Sequence, residues 1–177
     1  MTQVRLHLPD AAATQALGER LAQLVRAGDL LVLTGDLGAG KTTLTQGLGR
    51  ALGIRGQVAS PTFVIAREHP SLVGGPALVH VDAYRLGGIT ELDALDLDSS
   101  LEDSVTVVEW GAGLTETLTD DRLDISIDRA RGDAVDAGRH VTVSGVGARW
   151  ADIDLSAALA AATTVPEIVL EHPGNQG

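Results

Sequence analysis

The stretch that decides the fold of this chain is Gly35-Asp36-Leu37-Gly38-Ala39-Gly40-Lys41-Thr42. It matches the phosphate-binding pattern G-x-x-x-x-G-K-[ST] at every fixed position. Lys41 is the only lysine in the 177 residues, and the other twelve fixed cations are arginines. A compact ammonium can slide between the oxygens of neighbouring phosphates, and a planar guanidinium does not replace it there. We therefore expect Lys41 to bind phosphate.

The segments on either side of this loop supply the context that such a motif requires. Residues 30–33 are a short apolar run, typical of a strand buried on both faces. Residues 41–52 repeat apolar side chains at helical spacing, and Gly53 marks the end of the helix. Strand, glycine-rich loop and helix in this order indicate a P-loop and not a plain glycine turn.

The remaining patterns predict an α/β fold. Further strands are expected at residues 4–8, 62–67, 77–82, 105–109, 123–127 and 140–143, and further helices at residues 10–27, 90–95 and 154–162. The connector at residues 68–76 is short for a parallel crossover, so we expect an antiparallel hairpin there and a second one between the last two strands. Residues 1–150 are expected to form one domain, followed by an alanine-rich and partly disordered extension at 151–177.

Composition limits the function classes. The net charge is −11, which argues against direct binding to the nucleic-acid backbone. The chain has no cysteine, so disulfides and thiolate chemistry are excluded. No apolar run approaches the ~20 residues of a membrane-spanning helix, and the first nine residues lack a signal-peptide pattern. A cytoplasmic protein without membrane contact is expected.

The loop itself predicts a nucleotide site. Backbone N–H groups of residues 38–41 can surround phosphate oxygens, and these residues are Gly38, Ala39, Gly40 and Lys41. Thr42 is placed to put its hydroxyl on Mg²⁺, and Thr43 to reach the α-phosphate. The only asparagine is Asn175, so the Asn-Lys-x-Asp segment of guanine-specific enzymes cannot exist here. ATP with Mg²⁺ is the predicted ligand.

Two carboxylates follow predicted strands that lead towards this site. Asp82 ends one strand and Glu109 ends another, and an unpaired carboxylate there would be costly. Each is a candidate to hold magnesium or orient water. The alternative is that one caps a helix or forms a structural ion pair, for example with Arg85. Thr62, in the connection after the P-loop helix, is a candidate sensor of the γ-phosphate, or part of a plain turn set by Pro61.

Several segments in order resemble the TsaE family, also called YjeE. They are residues 35–43, then Ser60-Pro61-Thr62-Phe63, then His80-Val81-Asp82-Ala83-Tyr84-Arg85-Leu86, then Val108-Glu109-Trp110. The resemblance covers about residues 3–145, and Phe63 stands where the family often has tyrosine. It implies a P-loop three-layer α/β sandwich with a mixed, mostly parallel sheet and antiparallel hairpins.

The resemblance also implies roles for individual residues and partners. Residues 38–43 would bind the ATP phosphates, Thr42 and Glu109 would be magnesium ligands, and Asp82 would be the acid needed for hydrolysis. Trp110 would lie beside the site, and an element near Thr14 would border the adenine. The family's ATPase supports the TsaD and TsaB proteins, which form N6-threonylcarbamoyladenosine at position 37 of tRNAs that read codons beginning with A. Contact with tRNA would be only indirect, through that complex.

Two other functions remain open at this point. A P-loop small-molecule kinase would need an arginine-rich lid, and no segment resembles one. A nucleotide-gated interaction module with negligible turnover would differ from an ATPase only in its rate.

Overall fold

The computed structural model describes residues 2–59, 66–85, 101–110, 113, 115, 119–129 and 138–160. In chain order its strands are β1 (Thr2–Leu8), β2 (Leu30–Thr34), β3 (Ala66–His69), β4 (Ala77–Asp82), β5 (Ser104–Glu109), β6 (Arg122–Arg129) and β7 (Arg139–Val146). These seven strands form one sheet in the spatial order β1-β7-β6-β2-β5-β4-β3.

The sheet is parallel in the middle and antiparallel at both edges. Strands β6, β2, β5 and β4 run parallel to one another. The β3–β4, β6–β7 and β1–β7 pairs are antiparallel, which confirms both predicted hairpins. Because the central strands are parallel, their carboxyl ends meet at one edge, where α/β sheets commonly bind ligands.

Two long helices pack against each other on one face of the sheet. Helix α1 spans Ala11–Ala22 and helix α2 spans Lys41–Leu52, as predicted for α2. A Cβ atom at Gly18 would overlap the carbonyl oxygen of Leu44, and one at Gly47 would overlap that of Gln15. The two backbones are therefore in direct contact, which fixes the position of the first turn of α2.

Alternation along β2 divides the core between the two faces of the sheet. Leu31 and Leu33 belong to the large cluster that includes the buried side chains of α1 and α2. Leu30 and Val32 belong to a second cluster with residues of β4 and β5. All four side chains are at most 3% exposed, so β2 is buried on both faces as its apolar run predicts.

Several predicted boundaries are wrong; β7, for example, extends to Val146 and not to residue 143. Helix α1 ends at Ala22 and not near residue 27, because the N–H of Arg26 is bound by the Asp29 carboxylate at 2.8 Å and the chain turns there towards β2. Strand β3 runs to His69 and not to Arg67, since residues 66–69 all pair with β4.

The chain continues to pack beyond Trp150. Two short helices, α3 (Ala148–Ala151) and α4 (Leu155–Leu159), follow β7, and α3 lies in a segment with no predicted helix. Trp150 is fully buried, and the core also includes Leu155 and Leu159. The side chain of Asp154 caps α4 by accepting from the N–H of Ala157 at 3.0 Å. The domain boundary at residue 150 stays a prediction.

Some predicted features lie outside the described residues. They are the segment at residues 60–63 with Thr62, the helical turns at 90–95 and the tail at 163–177.

Candidate nucleotide site

The glycine-rich loop, residues 35–42, joins the carboxyl end of β2 to the first turn of α2. Gly38 has φ of +75° and Gly40 has φ of +119°, a region that side chains with a Cβ rarely adopt. Gly40 is also the residue before the first helical residue, Lys41. The backbone conformation therefore requires glycine at these two positions of the motif, and the first N–H groups of α2 face out of the helix end.

Lys41 is buried and directed back into the loop. The residue as a whole is only 5% exposed. Nζ donates to the carbonyl oxygens of Gly35 at 2.7 Å and Asp36 at 3.0 Å. It also lies 4.5 Å from the centroid of the Trp110 ring, a cation–π distance. Among the described residues, no carboxylate forms a salt bridge with this ammonium.

In this conformation, not every N–H group of the loop is free to donate to a phosphate. The N–H of Ala39 donates to the carbonyl oxygen of Asp36 at 3.0 Å and closes a turn. Of the four predicted phosphate donors, the N–H of Ala39 is thus engaged within the loop. Among the described residues, no backbone hydrogen bond engages the N–H groups of Gly38, Gly40 and Lys41.

The two predicted acids lie side by side at the end of β4 and β5. Asp82 and Glu109 are partners in the parallel register, and Glu109 is also the register partner of Leu33 in β2. The structure thus brings both carboxylates to the sheet edge from which the loop starts. Sequence spacing alone placed them only at strand ends.

Glu109 and Asp82 have different surroundings. Glu109 is buried, and its Oε1 lies 2.9 Å from Nε2 of the equally buried His80. Asp82 is half-buried, and its Oδ1 accepts the backbone N–H of Tyr84 at 3.0 Å, at the 3₁₀ turn Ala83–Arg85. The alternatives considered from the sequence are therefore present in part, because Glu109 makes a buried structural contact with His80 and Asp82 caps a turn. Neither contact uses both carboxylate oxygens.

Trp110 adopts an unusual backbone conformation directly after Glu109. Its φ is +60°, the only positive value at a non-glycine residue in the described part of the chain. Its N–H donates to the carbonyl oxygen of Leu33 at 3.0 Å, and its ring centroid lies 5.5 Å from that of Tyr84. Such strain persists only where surrounding contacts maintain it, and it often accompanies a functional position. Here it turns the indole over Lys41.

The predicted threonines lie close to the loop where they are described. Thr42 and Thr43 are half-buried in the first turn of α2. Thr14 is fully buried, and its hydroxyl donates to the carbonyl oxygen of Asp10 at 3.0 Å. Its Cγ2 would lie 3.5 Å from a Cβ atom at Gly40, so Thr14 packs against the loop with its methyl group. Its predicted contact with adenine stays a prediction.

Sequence reasoning assigned no site role to three residues near the loop. His80 contacts Glu109, Arg139 Nε donates to the carbonyl oxygen of Ala39 at 2.7 Å, and Arg129 approaches Gly38. His80 was visible as a buried polar residue two positions before Asp82 on the same strand. The two arginines gave no local signal, because only the register of the β6–β7 hairpin brings them to the loop.

The fold and the loop define a P-loop NTPase-like protein of the α/β class. The sequence matches the family described as "Threonylcarbamoyl adenosine biosynthesis protein TsaE" over residues 8–140. The chain belongs to the TsaE family, as the sequence motifs indicated.

Relatives in several bacteria have the same family name. The tRNA threonylcarbamoyladenosine biosynthesis protein TsaE of Streptomyces coelicolor is 68% identical over 79% of this chain and 95% of its own length. The protein of that name from Bacillus subtilis is 38% identical over 85% of this chain and 90% of its own length. The crystal structure of Bacillus subtilis YdiB superposes with a TM-score of 0.66 and 34% identity, covering 84% of this chain and 89% of that one.

A membrane-spanning helix is not found in the described ranges, where every helix is too short or too polar to cross a bilayer.

Proposed function

We propose that this chain binds Mg-ATP at residues 35–42 and hydrolyses it, in support of tRNA threonylcarbamoyladenosine formation by the TsaB–TsaD pair. The observation that carries the proposal is the state of Lys41. Its ammonium is buried and contacts two loop carbonyls and an indole, with no carboxylate among the described residues to neutralise it. A buried cation without a counter-ion is costly, and a triphosphate would supply the missing negative charge.

The loop residues supply the binding contacts in this proposal. Lys41 exchanges the carbonyl oxygens of Gly35 and Asp36 for phosphate oxygens, while the N–H groups at the start of α2 surround the remaining charge. The positive end of the α2 dipole acts in the same direction. Trp110 keeps the ammonium within the loop and limits the access of water to it.

The acids supply the second half of the chemistry. The hydroxyl of Thr42 and the carboxylate of Glu109 would hold Mg²⁺, and oxygen donors of this kind are those that the ion prefers. When bound, Mg²⁺ would neutralise charge on the phosphate oxygens. His80 leaves one oxygen of Glu109 without a side-chain partner among the described residues, which suits a ligand role. Asp82, half-buried and adjacent, would orient the water that attacks the γ-phosphorus as the bond to the β–γ bridging oxygen breaks.

The pathway and the partners rest on the family. The relatives are named for tRNA threonylcarbamoyladenosine biosynthesis. The net charge of −11 suits contact with protein partners better than direct contact with tRNA. A cytoplasmic location follows from the same proposal.

Phosphate release by the purified chain, with and without the TsaB–TsaD pair, tests this function. We expect a low basal rate that rises when the pair is added, and a complex that forms with ATP present. Absence of both stimulation and complex would refute the proposal. A complex without phosphate release would instead identify a nucleotide-gated module, and transfer of phosphate to a small acceptor would identify a kinase.

Substitution of the acids tests the division of roles. Asp82→Ala and Glu109→Ala should each abolish turnover. Glu109→Ala should also remove the effect of Mg²⁺ on nucleotide affinity, which titration at several Mg²⁺ concentrations measures, whereas Asp82→Ala should retain it. If only one variant loses turnover, the two acids do not share the work as proposed.

A further inference from the structure

Two arginines from the β6–β7 hairpin lie against the phosphate loop. Arg129 ends β6 and Arg139 begins β7, and the two are direct register partners. Because β6 runs parallel to β2, the end of β6 reaches the same sheet edge as the loop. The guanidinium Nη2 of Arg129 lies 3.5 Å from the point that a Cβ atom at Gly38 would occupy.

The charge of this pair is not neutralised by described carboxylates. Neither arginine forms a salt bridge with any acid in the ranges that the structure describes. Asp128, next to Arg129 in the chain, instead accepts a hydrogen bond from the Ser126 hydroxyl at 3.3 Å. Like charges directly opposite each other on antiparallel strands destabilise the pairing. With Lys41, three cations therefore converge on one loop in a chain whose net charge is −11.

Arg139 controls the orientation of a loop peptide. Its Nε donates to the carbonyl oxygen of Ala39 at 2.7 Å. In a trans peptide the carbonyl and the following N–H point in opposite directions. Holding the Ala39 carbonyl towards β7 therefore turns the N–H of Gly40 away from the hairpin. A Cβ atom at Gly40 would lie 3.0 Å from the same Nε, so glycine there permits this close approach.

We infer that the β6–β7 hairpin forms part of the phosphate site, with Arg129 binding phosphate oxygens of the nucleotide and Arg139 acting as a positioning residue for the loop. This inference rests on the proposed function, since it requires a nucleotide in the loop. The guanidinium of Arg129 lies beside Gly38, where it can donate to a phosphate that the loop N–H groups bind. The bound anion then replaces the repulsion between the two arginines with attraction to both.

Arg129→Gln tests the contact, because glutamine keeps a donor and removes the charge. Binding of ADP and of a non-hydrolysable ATP analogue, measured by titration calorimetry, should weaken by about tenfold or more, since a charge-assisted hydrogen bond is lost. The difference from wild type should shrink as salt rises, because screening weakens an exposed contact. The melting temperature without nucleotide should not fall, because the substitution removes a like-charge contact.

Arg139→Met and Arg139→Lys test the positioning role. Methionine has no donor and should weaken the binding of both nucleotides, whereas lysine should restore part of the affinity because its ammonium can still donate to the Ala39 carbonyl. If neither substitution changes affinity, Arg139 has no positioning role.

Arg122→Gln is the matched control, because Arg122 lies at the opposite end of the same strand and pairs with Asp124 at 3.0 Å. It should leave nucleotide affinity unchanged. Normal affinity in Arg129→Gln, with wild type also binding, overturns the inference alone. Failure of the wild type to bind either nucleotide overturns the proposed function itself.

Discussion

A cation lies over a tryptophan near each end of β2, buried in the case of Lys41 and half-buried in the case of Arg149, and the two cations differ in their charged partners. Past the amino end of the strand, the Arg149 guanidinium lies 4.2 Å from the Trp150 ring centroid and forms two bonds with Asp29, at 3.1 and 3.0 Å. Past the carboxyl end, the Lys41 ammonium lies 4.5 Å from the Trp110 ring centroid and has only carbonyl partners in the described residues.

The difference separates charge used for stability from charge kept for a ligand. Asp29 also accepts the N–H of Arg26, and Arg149 also donates to the carbonyl oxygen of Leu24 at 2.8 Å. That network is satisfied by the protein itself, as a structural ion pair must be. In the part of the chain that the structure describes, Lys41 has no comparable carboxylate, and the backbone of Trp110 is strained where that of Trp150 is not. The incomplete arrangement is the one that a phosphate can complete.

Lys41→Ala should have the largest effect of the variants that test this difference between the two cations. Hydrolysis should be lost and phosphate affinity should fall by about a hundredfold or more, because the site loses its central cation. Phosphate release and calorimetric titration with ADP measure the two effects. The folded state should lose little stability, because the ammonium forms no salt bridge with any carboxylate that the structure describes. Near-normal turnover would refute the assignment of the loop.

Asp29→Ala is the corresponding change at the other end of the strand, and its effect should be on stability. Removing one partner of a buried ion pair typically costs about 3–5 kcal/mol because the remaining charge is left unpaired. Since the Arg149 side chain is 13% exposed, we expect a loss at or below the lower end of that range. Denaturant unfolding measures this loss. Nucleotide affinity of the folded protein should stay within about twofold of the wild type, a difference of about 0.4 kcal/mol, because Asp29 lies at the end of β2 away from the loop.

The double variant Asp29→Leu with Arg149→Met is the control for that experiment. Apolar replacement of both partners should recover most of the lost stability. If the double variant is as unstable as Asp29→Ala, the cost comes from lost packing and not from an unpaired charge.

The parts of the site that the sequence predicts are those defined by local pattern. Helix α2 begins at Lys41 and ends at Leu52 as expected, since the loop precedes it and Gly53 takes a left-handed φ of +67°. Both acids lie at the predicted strand ends. In each case the information is contained in about ten consecutive residues.

The parts that sequence reasoning missed depend on pairing over long distances. Arg139 is 100 residues from Ala39, and its contact follows from the register of β7 with β6. The link between His80 and Glu109 likewise depends on the alignment of β4 with β5. The predicted end of α1 is wrong because the Asp29 carboxylate binds the N–H of Arg26. The periodicity of apolar residues carries no information about this contact.

Substitutions of Trp110 test the ligand-binding end of β2, with a smaller expected effect on nucleotide affinity than Lys41→Ala. Trp110→Ala should weaken nucleotide binding by about three- to thirtyfold, the range of a cation–π contact that orders Lys41. Trp110→Gly should weaken it equally but be more stable than the alanine variant by about 1 kcal/mol, because glycine adopts the left-handed backbone without strain. Unfolding and titration of the two variants separate the ring from the backbone. Equal stability of the two would show that the φ of +60° stores no strain.

His69 is a buried polar residue outside both the ion pair and the nucleotide site, and it tests how the fold responds to charge at such a position. It lies on β3, with Nδ1 at 3.4 Å from the carbonyl oxygen of Arg55, and its buried Nε2 has no hydrogen-bond partner among the described residues. Burial lowers the pKa of His69 below its ordinary value of 6.5; the Arg55 hydrogen bond opposes the shift, and nearby His80 and Arg67 add to it. The unfolded chain therefore binds a proton more readily than the folded one, so stability falls as the pH drops below about 6.5.

The acid sensitivity should decrease in His69→Gln. Between pH 7.5 and 5.5 its melting temperature should fall less than that of the wild type, by roughly one to three degrees for a chain of this size. The exposed His140 is the control, and His140→Gln should keep the wild-type pH dependence. Thermal melts at the two pH values decide the matter. An identical loss in wild type and His69→Gln would mean that the acid sensitivity lies in other groups, and that the edge of the sheet at β3 accommodates a charged imidazole as readily as a neutral one.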